Sequence, residues 1–222
     1  MMPGTQAEAR AAVVDAMRRL DALGLNRGST GNASVRWGID GHDGMLITPT
    51  GMAADRLQPL DLAWVGDDGT VQGPWAPSSE WQFHQATYRC RPDVQAVLHT
   101  HAVHATALAC LGQPLPAFHY MVAVAGGDDV PLVPYFTFGT EALAAAVGQA
   151  LGQRDACLLA QHGIVTCGPT VAHAMKVMRE IDSLCETYLL ARSVTTPAIL
   201  SGEEMARVRE KFRGYAPTRR VD

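Results

Sequence analysis

Val94-Gln95-Ala96-Val97-Leu98-His99-Thr100-His101 is an apolar run that closes in two histidines one residue apart. Alternate side chains of a β-strand share a face, so His99 and His101 project to one side, near enough to share an ion, while Thr100 points away. That is a metal-ligand spacing. Zinc takes imidazole nitrogen at roughly 2.0–2.1 Å, and a catalytic zinc has three protein ligands with a further position open to water or substrate. The candidate third ligand is His162, in Leu158-Leu159-Ala160-Gln161-His162-Gly163, a second apolar run that closes in histidine and glycine.

Just upstream, Pro77-Ser78-Ser79-Glu80-Trp81-Gln82-Phe83-His84 reads as a helix start. The serines serve as caps, Glu80 falls in the first turn, and the helix runs to about Cys90 before Arg91-Pro92. A helix amino terminus offers unpaired N–H groups and partial positive charge, so two serines there suit a phosphate. Glu80 suits the helix dipole; a carboxylate beside an anion site and close to His99 and His101 is also where a general acid/base would sit. Two further loops are rich in small polar residues. Gly28-Ser29-Thr30-Gly31-Asn32-Ala33-Ser34-Val35 reads either as a turn or as a loop whose N–H groups, hydroxyls and Asn32 amide converge on an anion. Thr48-Pro49-Thr50-Gly51 follows a short strand at Met45-Leu46-Ile47.

The remaining segments supply cover. Ala7 to Leu23 is an amphipathic helix stopped by Gly24, and Leu62 to Gly69 reads as a further hairpin. Ala102 to Leu111 reads as helix, Ala117 to Ala125 as strand, and Gly139-Thr140-Glu141 opens a helix to about Leu151. Cys157 to Cys167 reads as the strand that bears His162, and Thr170 caps the longest helix, whose Met and Leu stripe is core. Gly202 to Tyr215 reads as a short charged helix followed by an aromatic. His104 is a satisfied helix histidine or a residue behind the metal, and His42 is solvated. Irregular alternation of strands and helices with several hairpins favours an α/β fold, a mixed sheet covered by helices.

Composition narrows the classes. The 222 residues suit a single domain spanning 1–222. With 47% apolar residues, 18% charged and no run near the ~18 residues of a membrane span, the chain reads as soluble, with no membrane partner. A net charge of −4 without a basic cluster gives no nucleic-acid partner. Met1 to Arg10 lacks an apolar signal core, and Cys90, Cys110, Cys157, Cys167 and Cys185 contain no Cys-x-x-Cys; reduced, buried thiols in a cytoplasm are the reading.

Taken together, Gly31-Asn32, Thr48-Pro49-Thr50-Gly51, Ser78-Ser79-Glu80, His99-Thr100-His101 and His162-Gly163, in this order, resemble the class II aldolase/adducin family. His119-Tyr120-Met121, Ala125-Gly126-Gly127 and Thr137-Phe138-Gly139-Thr140 extend the resemblance over nearly the whole chain. It implies a three-layer αβα sandwich around a mixed, mostly antiparallel sheet, assembled as a homotetramer with sites between subunits. It further implies one Zn2+ per subunit on His99, His101 and His162, with Glu80 as acid/base that also touches the metal when substrate is absent. Co2+ or Mn2+ could substitute on three imidazoles. By the same resemblance Asn32, Thr50, Gly51, Ser78 and Ser79 bind phosphate, and Tyr120 is contributed by a neighbouring subunit as a catalytic proton donor. Phe138 and Tyr215 shape the aldehyde end. Thr100 and the loop from Ile39 to Asp43 depart from the family pattern without touching the chemistry.

The implied activity is reversible cleavage of a ketose 1-phosphate of the L-fuculose 1-phosphate type into dihydroxyacetone phosphate and a small aldehyde such as L-lactaldehyde. The alternatives are cleavage of 5-deoxyribulose or 5-methylthioribulose 1-phosphate by the same mechanism, and a pentulose-5-phosphate 4-epimerase. A non-enzymatic adducin-like binding module would be expected to lose the histidines.

Overall fold

The computed structural model describes residues 4–213. Its centre is one sheet of eight strands: β1 (Asn32–Arg36), β2 (Gly44–Ile47), β3 (Ala63–Gly66), β4 (Val71–Gln72), β5 (Ala96–Thr100), β6 (Leu132–Val133), β7 (Ala156–Leu159) and β8 (Gly163–Gly168). They lie in the order β4-β3-β2-β1-β5-β8-β7-β6, so the histidine-bearing β5 is central. Its neighbours β1 and β8 are both antiparallel to it, and among the described residues only β6 and β7 pair in parallel.

Alternation along the strands separates two cores. Leu98, Ala96, Leu158 and Ile164 face α1 (Gln6–Ala22), α3 (Val103–Cys110) and α5 (Val171–Val194). Val97, Leu159, Val165 and Cys167 face α2 (Trp81–Cys90) and α4 (Glu141–Leu151). The result is the expected three-layer αβα sandwich. Leu98 and Val97 are adjacent in sequence and both fully buried, one in each core. Each such side chain contributes about 1.5–3 kcal/mol by leaving water. Thr100 Oγ1 lies 3.4 Å from Met178 Sδ of α5, so that residue faces away from the histidines as the strand period predicts.

The helix signals are chemical. Thr5 and Glu8 form a capping box at the start of α1, while Thr140 and Thr170 cap α4 and α5 through their hydroxyls. The carboxyl end of α2 is clamped. Arg91 donates to the Leu151 and Arg154 carbonyls and pairs with Asp93 and Asp155; Arg36 of β1 donates to the Tyr88 and Val94 carbonyls. These bonds fix α2 against the sheet, and with it the residues at its amino end. The last helix, α6 (Gly202–Arg213), ends the described chain, so Tyr215 lies outside the described residues.

Four expectations need correction. Residues Cys157 to Cys167 are two strands, β7 and β8, with His162 in the turn between them rather than in a strand. The turn is made by Gln161 at φ 52°, a left-handed conformation unusual for a side chain larger than glycine. Ala117 to Ala125 is not a strand: Tyr120–Ala125 is a 3₁₀ helix ended by Gly126 at φ 83°. Its apolar run packs from this 3₁₀ turn rather than pairing in the sheet. Glu80 is the residue preceding α2 rather than part of its first turn, and its side chain makes no cap bond. Of the five cysteines only Cys157, Cys167 and Cys185 are buried; Cys90 and Cys110 are exposed, and all are unpaired.

Candidate active site

Three segments bring three histidines together. His99 comes from β5, His101 from the residue after its end, and His162 from the β7–β8 turn beside it. Ring centroids stand 5.1 Å apart for His99 and His101, 4.8 Å for His99 and His162, and 4.9 Å for His101 and His162. One ligand atom from each lies within 4.8 Å of the others. The His99 Nδ1–H donates to the Ile164 carbonyl at 3.0 Å, which leaves the Nε2 lone pair turned inward. Nε2 of His99 and of His101 are buried and have no hydrogen-bond partner. Buried polar atoms are nearly always partnered, so two unpartnered ring nitrogens beside a third imidazole fit a divalent cation.

Gly163 makes the convergence possible. A Cβ there would lie 2.4 Å from the Thr100 carbonyl oxygen, 3.0 Å from His101 Cδ2 and 3.3 Å from His99 Cε1. Only glycine lets β8 start this close to the end of β5. Strand pairing of His99 with Val165 and of Thr100 with Ile164 completes the frame.

Glu80 closes the cluster on the α2 side. Its Oε2 is 3.4 Å from His99 Nε2 and its Oε1 is 3.2 Å from His162 Nε2. Asn32 Nδ2 donates to Oε2 at 2.9 Å. Burial alone would raise this carboxyl; the charges of His99 and His162 and the bonds from His162 and Asn32 outweigh it and hold the group down at about 2. Burial also pushes the His99 imidazole down to about 3, and lowers that of His101. The site at neutral pH therefore holds an ionised carboxylate and imidazoles ready to act as ligands.

In front of the cluster lies a cleft of about 370 Å³. Hydroxyl-bearing and small residues, Ser29, Thr30, Thr50, Gly51 and Ser79, line one part, and the aromatics Tyr135, Phe136 and Phe138 another; Glu80, His101, Gln161 and His162 border it. Backbone bonds from Ser78 N–H to the Thr48 carbonyl and from Thr50 N–H to the Ala76 carbonyl stitch the two small-residue loops together. Gly139, at φ 72°, packs where a Cβ would meet the Ser79 carbonyl oxygen at 2.8 Å, next to Phe138 on the cleft wall.

Not every expected residue lines the cleft. Ser78 is buried, and its Oγ accepts from the Glu80 N–H at 3.3 Å. Asn32 lies behind Glu80, with its amide directed to that carboxylate and to His84. Tyr120 stands apart on the outside of the chain, 49% exposed, its ring 6.4 Å from that of Phe212. His104 is bonded to Asp182 at 2.9 Å, the satisfied helix histidine of the two readings offered above. Sequence reasoning did not single out Gln161, Tyr135 or Phe136 for the cleft, or His84 behind it. The aromatics between Val130 and Phe138 were the available signal.

A family model described as Class II Aldolase and Adducin N-terminal domain matches residues 11–189. The chain belongs to this family. A 5-methylthioribulose-1-phosphate/5-deoxyribulose-1-phosphate aldolase of Rhodospirillum rubrum is 48% identical over 214 residues, 96% of this chain and 95% of that one. An L-fuculose phosphate aldolase of Escherichia coli K12 is 43% identical over 204 residues, 91% and 93% of the two. Among solved structures, an L-fuculose 1-phosphate aldolase superposes with a TM-score of 0.88 at 36% identity, over 96% of this chain and 98% of that one. The chain is an enzyme of the aldehyde-lyase class, a class II aldolase. Among its described residues no helix is long and apolar enough to cross a membrane.

Proposed function

We propose that this class II aldolase uses Zn2+ and cleaves 5-deoxyribulose 1-phosphate or 5-methylthioribulose 1-phosphate, giving dihydroxyacetone phosphate and a two-carbon aldehyde or its methylthio derivative. The observation that carries the chemistry is Glu80 seated among three converging imidazoles at the floor of a cleft with hydroxyls on one part and aromatic rings on another. A metal on His99, His101 and His162 supplies Lewis-acid stabilisation of negative charge. All other steps belong to this chain's side chains.

Thr50, Ser79 and the small-residue loops around them hold the phosphate, which fixes the reacting carbons near Glu80. Glu80, ionised and braced by Asn32, gives and takes the proton at C3. Tyr120 of a neighbouring copy in a homotetramer exchanges a proton with the C4 oxygen, which accounts for its exposure on a single chain. Positioned acid–base groups of this kind are worth about 10²–10⁴-fold each. Tyr135, Phe136 and Phe138 present flat apolar faces to the aldehyde end, which suit a methyl or thioether.

The substrate choice rests on the relative at 48% identity. L-Fuculose 1-phosphate, the leading reading from sequence, becomes the second, supported by relatives at 42–44%. Rates of dihydroxyacetone phosphate release from the three ketose 1-phosphates test the order. The 5-methylthio or 5-deoxy substrate is expected to be fastest by kcat/KM. A faster L-fuculose 1-phosphate would reverse it, and conversion of L-ribulose 5-phosphate to D-xylulose 5-phosphate would make the chain an epimerase.

A further inference from the structure

Behind Glu80 runs a line of buried polar side chains. His84 lies one helical turn along α2, fully buried and stacked on Phe83, with ring centroids 4.7 Å apart at 16°. Its Nε2 is 2.6 Å from Asn32 Oδ1, its Nδ1 is 2.8 Å from Ser34 Oγ, and Ser34 Oγ is 2.8 Å from the Tyr88 hydroxyl. Asn32 and Ser34 are buried, and both belong to β1.

The chemistry of the groups gives this line one direction. Asn32 Nδ2 is committed as donor to the Glu80 carboxylate, so Oδ1 must accept, and His84 Nε2 must carry the proton. Burial holds the His84 imidazole neutral, with its pKa down at about 3, so Nδ1 is a bare acceptor for the Ser34 hydroxyl. The Ser34 oxygen in turn accepts from Tyr88. Reversing the Asn32 amide would set its carbonyl against a carboxylate oxygen at one end and, with the proton on His84 Nε2, its NH2 against that N–H at the other. Two repulsive contacts in a buried site make the reversed arrangement costly.

We propose that His84 is a positioning residue for the acid/base carboxylate: its Nε2–H locks the Asn32 amide so that Nδ2 always faces Glu80. The proposal rests on the reading of Glu80 as the group that moves the C3 proton. His84 is 0% exposed, so it acts through Asn32 without reaching substrate.

The test follows solvent exchange of the C3 proton of dihydroxyacetone phosphate by the metal-loaded enzyme, for His84→Phe, His84→Gln, His84→Asn, Asn32→Ala and His84→Phe/Asn32→Ala. His84→Phe should lower kcat by about 10–100-fold, the range for outer partners of a site, with KM unchanged because the phosphate contacts are untouched. The double variant should be no slower than the slower single variant, since both remove one bond line. His84→Gln, which keeps a donor toward Asn32, should recover most of the rate, and His84→Asn, which keeps only the Ser34 side, should not.

In parallel, ¹⁵N NMR of histidine-labelled protein without metal should show His84 as the neutral Nε2–H tautomer. Additive losses, full activity in His84→Phe, or an Nδ1–H tautomer would overturn the proposal. If His84→Phe fails to fold, the contrast between His84→Gln and His84→Asn decides with the tautomer. Undiminished exchange in Glu80→Gln would instead overturn the parent reading of Glu80.

Discussion

Gly163→Ala is the sharpest perturbation that the geometry offers, because it adds one methyl group where the end of β5, which carries His99, meets the turn that carries His162. The new Cβ would sit 2.4 Å from the Thr100 carbonyl oxygen, a backbone atom held in the ladder between β5 and β8. No side-chain rotation relieves that contact. The strands must part where His99 and His101 leave one and His162 enters the other, and the contacts at 3.0 Å and 3.3 Å push directly on two of the rings. Overpacking of this kind costs about 1–3 kcal/mol. Falling on fold stability, that is a drop of about 2–12 °C in Tm for a chain of this size. Falling on the ligand geometry, it is about 5- to 150-fold in metal affinity, at 1.4 kcal/mol per tenfold. Chelator competition for Zn2+ and thermal unfolding with and without metal separate the two. A variant that keeps both the affinity and the Tm of the parent would refute the argument that Gly163 is required by the approach of the strands.

Other expectations follow from the same site. His162→Ala should lose most of the bound metal on dialysis, as metal analysis would show; full occupancy would remove His162 from the ligand set. Thr50→Ala and Ser79→Ala should each raise KM for the ketose 1-phosphate by about 10–150-fold, the worth of a hydrogen bond to a charged group, with a smaller change in kcat. Unchanged KM in both would move the phosphate elsewhere. Protonation of His84 sets a pH dependence of stability. Its ordinary value of 6.5 falls to about 3 in the fold, so between those values the unfolded chain binds a proton that the folded one does not. Stability should therefore decline as pH falls from 6.5 toward 3, by up to ~1.4 kcal/mol per unit from this residue, with no contribution above 6.5. Urea unfolding of the metal-free protein at a series of pH values should show a shallower slope for His84→Gln than for the parent; equal slopes would mean that His84 is charged in the fold.

Period and punctuation made much of this fold readable. The two-residue period of Val94 to His101 put His99 and His101 on one face and Thr100 on the other, and Thr100 does meet α5. Thr140, Thr170 and Gly24 marked helix ends because their chemistry is local. What failed was the reading of long apolar runs. Cys157 to Cys167 is apolar on both sides of a turn whose left-handed position is taken by Gln161 rather than by a glycine. Ala117 to Ala125 is apolar because it packs under α5 and α6, which a 3₁₀ turn does as well as a strand. In the site, His99 and His101 were legible from their spacing and His162 and Glu80 from their motifs, whereas Gln161, Tyr135 and Phe136, which only the fold brings to the cleft, were not. His84 carries no mark in the sequence beyond its place one turn after Glu80; its meaning comes from Asn32, which stands 52 positions away.

In the proposed function the three imidazoles and Glu80 act together on a sugar phosphate. The most direct test is dihydroxyacetone phosphate release from 5-methylthioribulose 1-phosphate by the protein as purified, after chelation, and after Zn2+ is restored. Release should be lost on chelation and recovered with Zn2+, and should stay absent in Glu80→Gln at full metal content. Release that survives chelation, or that survives in Glu80→Gln, would contradict the proposed function.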